Sequence, residues 1–177
     1  MNLPNSVTFL RVLFIPLLVY YLLSPQIPHG NIIAVVIFAA VAATDALDGY
    51  LARRLKQETV IGKFMDPLAD KILVISALLC LVEIRWISSI PVIIIIVRDL
   101  AVIGLRLAAS SSGKIIAADT LGKYKAALLD VAVAMLILNL PYGNLVLWLG
   151  VALAVVSGTE YFMNNREILV GGSRSDE

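Results

Sequence analysis

The fold of this chain is decided by residues 44–70, which read TDALDGYLARRLKQETVIGKFMDPLAD. The stretch contains four aspartates, Asp45, Asp48, Asp66 and Asp70, in a chain that is otherwise apolar. The first two are three residues apart and the last two are four apart, so on helices each pair shares one face. The polar run between the pairs predicts a short connection. The two pairs are therefore expected to face each other on neighbouring antiparallel helices.

Composition places the chain in the membrane class of proteins. Of its 177 residues, 60% are hydrophobic and the mean hydropathy is +0.92, whereas soluble domains are roughly 45 to 50% apolar. The net charge of +1 says little, because the charge asymmetry lies between the two faces of the protein and not in the total. We expect membrane lipids as surroundings and no nucleic acid as partner. The single cysteine, Cys80, has no second cysteine for an intramolecular disulfide and is expected to serve packing.

Six stretches of mostly apolar residues are long enough to cross the hydrocarbon core of a bilayer, which takes about 20 residues. They are Val7–Leu23, Asn31–Ala52, Gly62–Val82, Ile87–Ala109, Leu121–Leu140 and Leu145–Met163. We therefore predict an all-α integral membrane protein, a bundle of six transmembrane helices. Residues 1–170 form this membrane domain, and residues 171–177 are predicted to be a disordered polar tail.

The distribution of Lys and Arg predicts the orientation in the membrane. Basic residues gather in the connections after the second and fourth predicted helices, while the connections after the first and fifth contain Pro, Gly and Asn. By the positive-inside rule the basic connections are cytoplasmic, and Arg85 is the exception. We therefore predict a multi-pass protein of the inner (cytoplasmic) membrane, with both termini and the four aspartates on the cytoplasmic side.

Four carboxylates inside membrane helices need partners or a function, because each costs on the order of 2.5 to 3.5 kcal/mol at a helix centre. Ligands that are all oxygen suit a hard cation, Mg²⁺ or Mn²⁺. Two such ions would neutralise the four aspartates and leave positions for the oxygens of a diphosphate. The alternative is a structural salt-bridge network in which Arg53, Arg54, Lys63 or Lys71 supplies the counter-charges.

The aspartates and the small residues near them resemble the signature of the CDP-alcohol phosphotransferase family in every fixed position. The matching pattern is Asp45-x2-Asp48-Gly49-x2-Ala52-Arg53-x8-Gly62-x3-Asp66-x3-Asp70. The family consists of membrane enzymes with six helices and a cytoplasmic-side active site. The resemblance implies that an alcohol attacks the β-phosphorus of a CDP-linked donor and displaces CMP.

The resemblance also implies roles for individual residues. All four aspartates would be metal ligands, and Asp70 would in addition be the general base that takes the proton of the alcohol. A further set would surround the CDP part of the donor: Asn5, Thr8, Gly49, Ala52, Arg53 and Gly62. For the first two of these, helix capping or anchoring at the membrane interface is the alternative.

The acceptor is suggested by softer motifs at the two ends of the chain. Residues 2–11 and 157–162 are similar to those of bacterial family members that use CDP-diacylglycerol as donor and glycerol 3-phosphate as acceptor, giving phosphatidylglycerol phosphate. Since that acceptor is a dianion, we predict a cradle of cations for its phosphate. The candidate residues are Arg98, Arg106, Lys114, Lys123 and Lys125. Alternatively, Arg98 is a structural partner of Asp99, and Lys114 and Lys125 are snorkelling side chains.

Other functions are compatible with parts of this pattern. Within the family, the alternatives are a cardiolipin synthase of CDP-alcohol type and a phosphatidylinositol phosphate synthase. In a different class, a small cation transporter would use the same aspartates as an ion site, without needing the small residues and Arg53 at their spacing. Homodimerisation is the expectation that the family brings.

Overall fold

The structure, a computed structural model, describes residues 3–24, 26–55, 60–111 and 120–166. Side chains are described within residues 13–24, 26–43, 71–110 and 121–166. The described chain contains six α-helices. They are α1 (Leu3–Leu23), α2 (Gly30–Leu55), α3 (Val60–Glu83), α4 (Ser89–Ser111), α5 (Thr120–Ile137) and α6 (Gly143–Asn164). The all-helical prediction is thus confirmed, and the predicted tail at 171–177 lies outside the described residues.

The ends of α5 and α3 differ from the predicted ones because of backbone turns that hydropathy does not detect. Asn139 has a positive φ of 53°, and Leu140 N–H donates to the carbonyl of Met135 at 2.9 Å, which closes the C-terminus of α5. The helix therefore ends at Ile137 and not at Leu140. The end of α3 is similar, with Arg85 at a φ of 62°.

The starts of the helices differ as well, and those of α1 and α4 have an evident physical reason. α1 begins at Leu3, four residues before the predicted Val7, because Pro4 is tolerated in the first turn of a helix. α4 begins at Ser89 and not at Ile87. The hydroxyl of Ser88 accepts a hydrogen bond from the N–H of Ile90 at 3.3 Å and so caps this helix.

The core is formed by apolar faces of all six helices. The most extensive described contacts join α5 to α6, and α1 to both α2 and α3. The largest fully buried side chains include Leu18, Phe38, Leu78 and Leu147. Cys80 is 5% exposed within this core, which confirms its packing role.

The outer surface is also apolar, unlike that of a soluble protein. Each of the six helices exposes at least one large apolar or aromatic side chain by more than half, for example Leu13, Val36, Leu79, Val97, Val131 and Val156. Such continuous apolar exposure is rare on soluble monomers and marks a lipid or protein contact. Within the described side chains, Gly143–Asn164 is the one helix long and apolar enough to cross a membrane, and Leu13–Leu23 and Gly30–Ala43 are shorter apolar stretches.

The close approach of α5 and α6 requires a glycine, which gives a test of the packing. A Cβ at Gly150 would lie 2.7 Å from Leu129 Cδ2 and 3.2 Å from its Cγ, and Leu129 is 2% exposed. We expect Gly150→Ala to lower the free energy of unfolding by about 1 to 3 kcal/mol through overpacking. The measurement is the melting temperature of the purified protein in detergent.

Gly104→Ala is the matched control, because a Cβ there meets no described atom within 4 Å. Alanine is favoured over glycine inside a helix by roughly 0.5 to 1 kcal/mol, so this variant should melt at or above the wild-type temperature. Equal melting temperatures for the two variants would contradict the tight α5–α6 contact.

Candidate active site

The backbone brings the four aspartates to one end of the bundle. Asp45 and Asp48 lie within about three turns of the C-terminal end of α2, and Asp66 and Asp70 lie within about three turns of the start of α3. Residues 56–59 separate the two helices, so both pairs lie at the same end. Their side chains are outside those described.

The first described side chain beyond this motif belongs to Lys71, and it leads to a buried carboxylate on α4. Lys71 Nζ lies 2.8 Å from Asp99 Oδ2. Lys125 Nζ of α5 donates to both oxygens of Asp99, at 2.7 and 2.9 Å. Arg98 Nη1 donates to Oδ1 at 3.0 Å. Asp99, which is 5% exposed, thus binds three cations from three helices.

Among the side chains that the structure describes, positive charge is in excess around this carboxylate. Lys71, Asp99 and Lys125 line a cavity of about 40 Å³ together with Asp130, which has an interaction of its own. Even with Asp130 counted, three described cations stand against two described carboxylates. The cavity has space for only a few water molecules, so a phosphate would have to bind beside the cluster and not inside it.

The two lysines of this cluster differ in their access to solvent. Lys125 is 4% exposed, and its ammonium group lies against Asp99. The alternative of a snorkelling side chain is therefore wrong for Lys125. The Lys71 side chain is 24% exposed and directly follows Asp70 in the chain. Lys71 is therefore the more accessible of the two lysines, while Lys125 supports the cluster from within.

Arg98 is bound by Asp99, as the structural alternative predicted, and also by α6. Its Nε donates to the carbonyl oxygen of Ala154 at 3.1 Å, and its Nη2 donates to Ser157 Oγ at 2.8 Å. These contacts use three of the five N–H groups of a guanidinium. Arg98 is therefore held in one orientation between two helices.

Arg106, two turns further along α4, is held by a different residue of α6. Its Nε donates to the hydroxyl of Tyr161 at 3.0 Å, and its central carbon lies 5.5 Å from the centroid of the same ring. The ring thus supplies a cation–π contact as well as an acceptor. Tyr161 is 4% exposed and packs with Val102 and Leu105 of α4.

The other predicted site residues are less well defined by the structure. Lys123 lies on α5, where its side chain is exposed. Lys114 lies outside the described residues. Asn5 and Thr8 lie on α1, Gly49, Ala52 and Arg53 on α2, and Gly62 on α3, but their side chains are not among those described.

Sequence reasoning missed the contribution of α6 to this site. It considered Lys71 only as a counter-charge for the aspartates, and it gave no role to Ser157 or Tyr161 beyond a soft family likeness. A signal was present: Ala154, Ser157, Gly158 and Tyr161 follow i, i+3, i+4, i+7 spacing and so form one face. That pattern is also typical of ordinary helix packing, which is why it was not interpreted as part of a site.

The largest described cavity lies elsewhere. It has a volume of about 530 Å³ and is lined by residues at the opposite ends of the helices, including Tyr21, His29, Trp86 and Asn139. None of the predicted site residues borders it. Among the described side chains, no group of three or more His, Cys, Asp or Glu residues is arranged to bind a metal.

Comparison with known proteins identifies the family. Residues 1–156 match CDP-alcohol phosphatidyltransferase. The chain is 40% identical over 187 residues to the "CDP-diacylglycerol--glycerol-3-phosphate 3-phosphatidyltransferase" of Bacillus subtilis, covering 95% of this chain and 97% of that protein. Proteins with the same name from Pseudomonas fluorescens (38% identity, 89% and 83% coverage) and Rickettsia bellii (32% identity, 91% and 93% coverage) are also similar. This chain therefore belongs to the CDP-alcohol phosphatidyltransferase family.

Proposed function

We propose that this protein transfers the phosphatidyl group of CDP-diacylglycerol to glycerol 3-phosphate, giving phosphatidylglycerol phosphate and CMP. The observation that carries the proposal is the similarity to the Bacillus subtilis protein, because it extends over nearly the full length of both chains. The complete aspartate motif of residues 45–70 supports the same reaction class.

In this reaction a hydroxyl oxygen of glycerol 3-phosphate forms a bond to the β-phosphorus of the donor. The bond from that phosphorus to the bridging oxygen breaks, and CMP leaves with this oxygen. Asp70 is proposed to accept the proton of the attacking hydroxyl. A carboxylate is a weak base for an alcohol, so the transition state requires stabilisation of the charge on the phosphates as well.

The metal ligands are proposed to be Asp45, Asp48, Asp66 and Asp70. The donor set fits a hard divalent ion, because it consists of carboxylate oxygens from two rigid helices that meet at one end of the bundle. Two Mg²⁺ or Mn²⁺ ions would balance four carboxylates better than one. Their positive charge would stabilise the negative charge of the diphosphate.

Donor and acceptor are proposed to bind on different sides of Asp70. Asn5, Thr8, Gly49, Ala52, Arg53 and Gly62 would surround the CDP group. The acceptor phosphate would be bound by Arg98, Arg106, Lys114 and Lys123, and we add Lys71. Lys125, which the sequence placed in the same cradle, is enclosed against Asp99 and would support the cluster from within. The excess of cations around Asp99 supports this division, since an anionic acceptor would balance it.

We further propose a multi-pass arrangement in the cytoplasmic membrane with both termini in the cytoplasm, and a homodimer as in the family expectation. The apolar side chains exposed on every helix support a lipid environment. The two turns around residues 24–29 and 138–142 lie at the end away from the motif and carry no Lys or Arg. The donor would then enter laterally from the lipid and the acceptor from the cytoplasm.

The acceptor is tested by CMP release from CDP-diacylglycerol in the presence of Mg²⁺ or Mn²⁺. Separate reactions contain glycerol 3-phosphate, inositol phosphate, serine or phosphatidylglycerol. We expect glycerol 3-phosphate to exceed serine and phosphatidylglycerol at least tenfold, because neither carries the phosphate monoester that the proposed cation cradle would bind. We expect it to exceed inositol phosphate as well, on the similarity to the Bacillus subtilis protein. EDTA should stop the release, and added metal should restore it. Faster release with another acceptor would overturn the substrate assignment.

Asp70→Asn tests the general base. The amide keeps the size of the side chain but cannot accept the proton, so we expect kcat to fall by about 10² to 10⁴. Stabilisation of the protein by added CDP-diacylglycerol should persist. Glu160→Gln, at an exposed position of α6, is the control and should keep wild-type kcat. A near-normal kcat for Asp70→Asn would exclude Asp70 as the base.

Asp99→Asn tests the charge cluster. Removing the carboxylate leaves Lys125 buried without its counter-charge, and breaking a buried pair in this way costs about 3 to 5 kcal/mol of stability. We expect a large fall in melting temperature and loss of activity, while Glu83→Gln at an exposed site has little effect on either. Adding Lys125→Met to Asp99→Asn should recover part of the stability, and a further loss instead would contradict the pairing.

A further inference from the structure

One face of α6 meets both arginines of α4. The face is formed by Ala154, Ser157, Gly158 and Tyr161, and we call it the α6 arginine face. All four residues are buried. These uncharged residues have no role in the chemistry proposed above. They nevertheless contact the two arginines that would bind the acceptor.

The first half of the face fits Arg98 closely. Ser157 is fully buried, and its hydroxyl donates to the Ala154 carbonyl at 3.2 Å, so its lone pairs are directed to Arg98 Nη2. Gly158 allows the arginine side chain to lie across α6, because a Cβ there would be 3.0 Å from Arg98 Cγ and 3.2 Å from Nε. Both the hydrogen bonds and the missing Cβ therefore set the position of the guanidinium.

The second half of the face binds Arg106 through Tyr161, by the 3.0 Å hydrogen bond to Nε and by the ring. Among the contacts with described side chains, the one to Nε leaves the terminal nitrogens of Arg106 as donors. On Arg98 the described contacts leave two N–H groups. Both guanidinium groups therefore keep donors for an oxyanion while their orientation is fixed.

The α6 partners of the two arginines lie closer together than the arginines' own positions on α4. Arg98 and Arg106 are eight residues apart on α4, about 12 Å along the axis. Their partners Ser157 and Tyr161 are four residues apart on α6, about 6 Å. Two arginines that are bound to successive turns of one helix, each with donors left by its described contacts, suit an anion such as a phosphate group.

We propose that the α6 arginine face is the positioning element for the acceptor phosphate, with Ser157 and Gly158 orienting Arg98, and Tyr161 orienting Arg106. This rests on the proposed function, since it takes the phosphate of the acceptor as the ligand of the two arginines. The residues of the face act through the arginines and do not touch the substrate. They should therefore affect binding of the acceptor and not of the lipid donor.

The test compares Gly158→Ala and Tyr161→Phe with two matched controls. Gly104→Ala adds the same methyl group to α4 where no described atom lies within 4 Å, and Tyr142→Phe removes a hydroxyl from a side chain that is 74% exposed at the other end of α6. For each protein, kcat and the KM values of glycerol 3-phosphate and CDP-diacylglycerol are measured, together with the melting temperature.

We expect both face variants to raise the KM of glycerol 3-phosphate by about three- to tenfold, the net effect of one typical hydrogen bond. The donor KM should stay within about twofold of wild type, and both controls should match wild type. In an Arg106→Met background, Tyr161→Phe should give no further increase, since it acts through Arg106.

A wild-type-like acceptor KM in both face variants, or an equal rise in the two KM values, would overturn the inference while leaving the proposed function intact. If Gly158→Ala fails to fold, Tyr161→Phe decides, because it keeps the ring. If the wild type uses a different phosphorylated acceptor, the proposed function fails and the same KM comparison with that acceptor still tests the face. An acceptor without phosphate would overturn both.

Discussion

The carboxylate of Asp99 joins three helices at the depth where the chemistry is expected. Lys71 comes from α3, Arg98 from α4 and Lys125 from α5, and each lies within 3.0 Å of an oxygen of Asp99. In an apolar bundle these cations would be costly if unpaired and would repel one another if brought together alone. The single carboxylate of Asp99 therefore allows three cationic side chains to lie close together. The packing of α3, α4 and α5 around Asp99 depends on it.

The pairing also prepares the site for an anion. A fully neutralised cluster would have no affinity for a phosphate, whereas three free cations could not be buried. Asp99 leaves the cluster partly compensated, with Lys125 inside and Lys71 nearer to solvent. Because Lys71 follows Asp70 directly, the same salt bridge fixes the helix turn that carries the proposed base relative to the proposed acceptor site.

Much of the fold could be predicted because each helix is a long apolar run bounded by turn residues. The clearest error arose where backbone conformation, not hydropathy, ends a helix. Asn139 adopts the left-handed conformation just after α5, although the apolar residues Leu138 and Leu140 favour a longer helix by hydropathy. The four aspartates were predictable for a different reason. Their spacing on two helices suits a hard-metal site or a salt-bridge network, and the fixed positions around them resemble one family.

The rest of the site could not be predicted because its contacts are long-range and its residues ordinary. Arg98 meets Ser157 across 59 positions of the chain and Arg106 meets Tyr161 across 55, distances over which spacing rules give no information. Ser157 and Gly158 would pass for packing residues on any membrane helix, where small side chains let helices approach closely. On α6 the small side chains have a second consequence. They leave space for the Arg98 side chain between α4 and α6, so residues that allow close packing also orient a charged group.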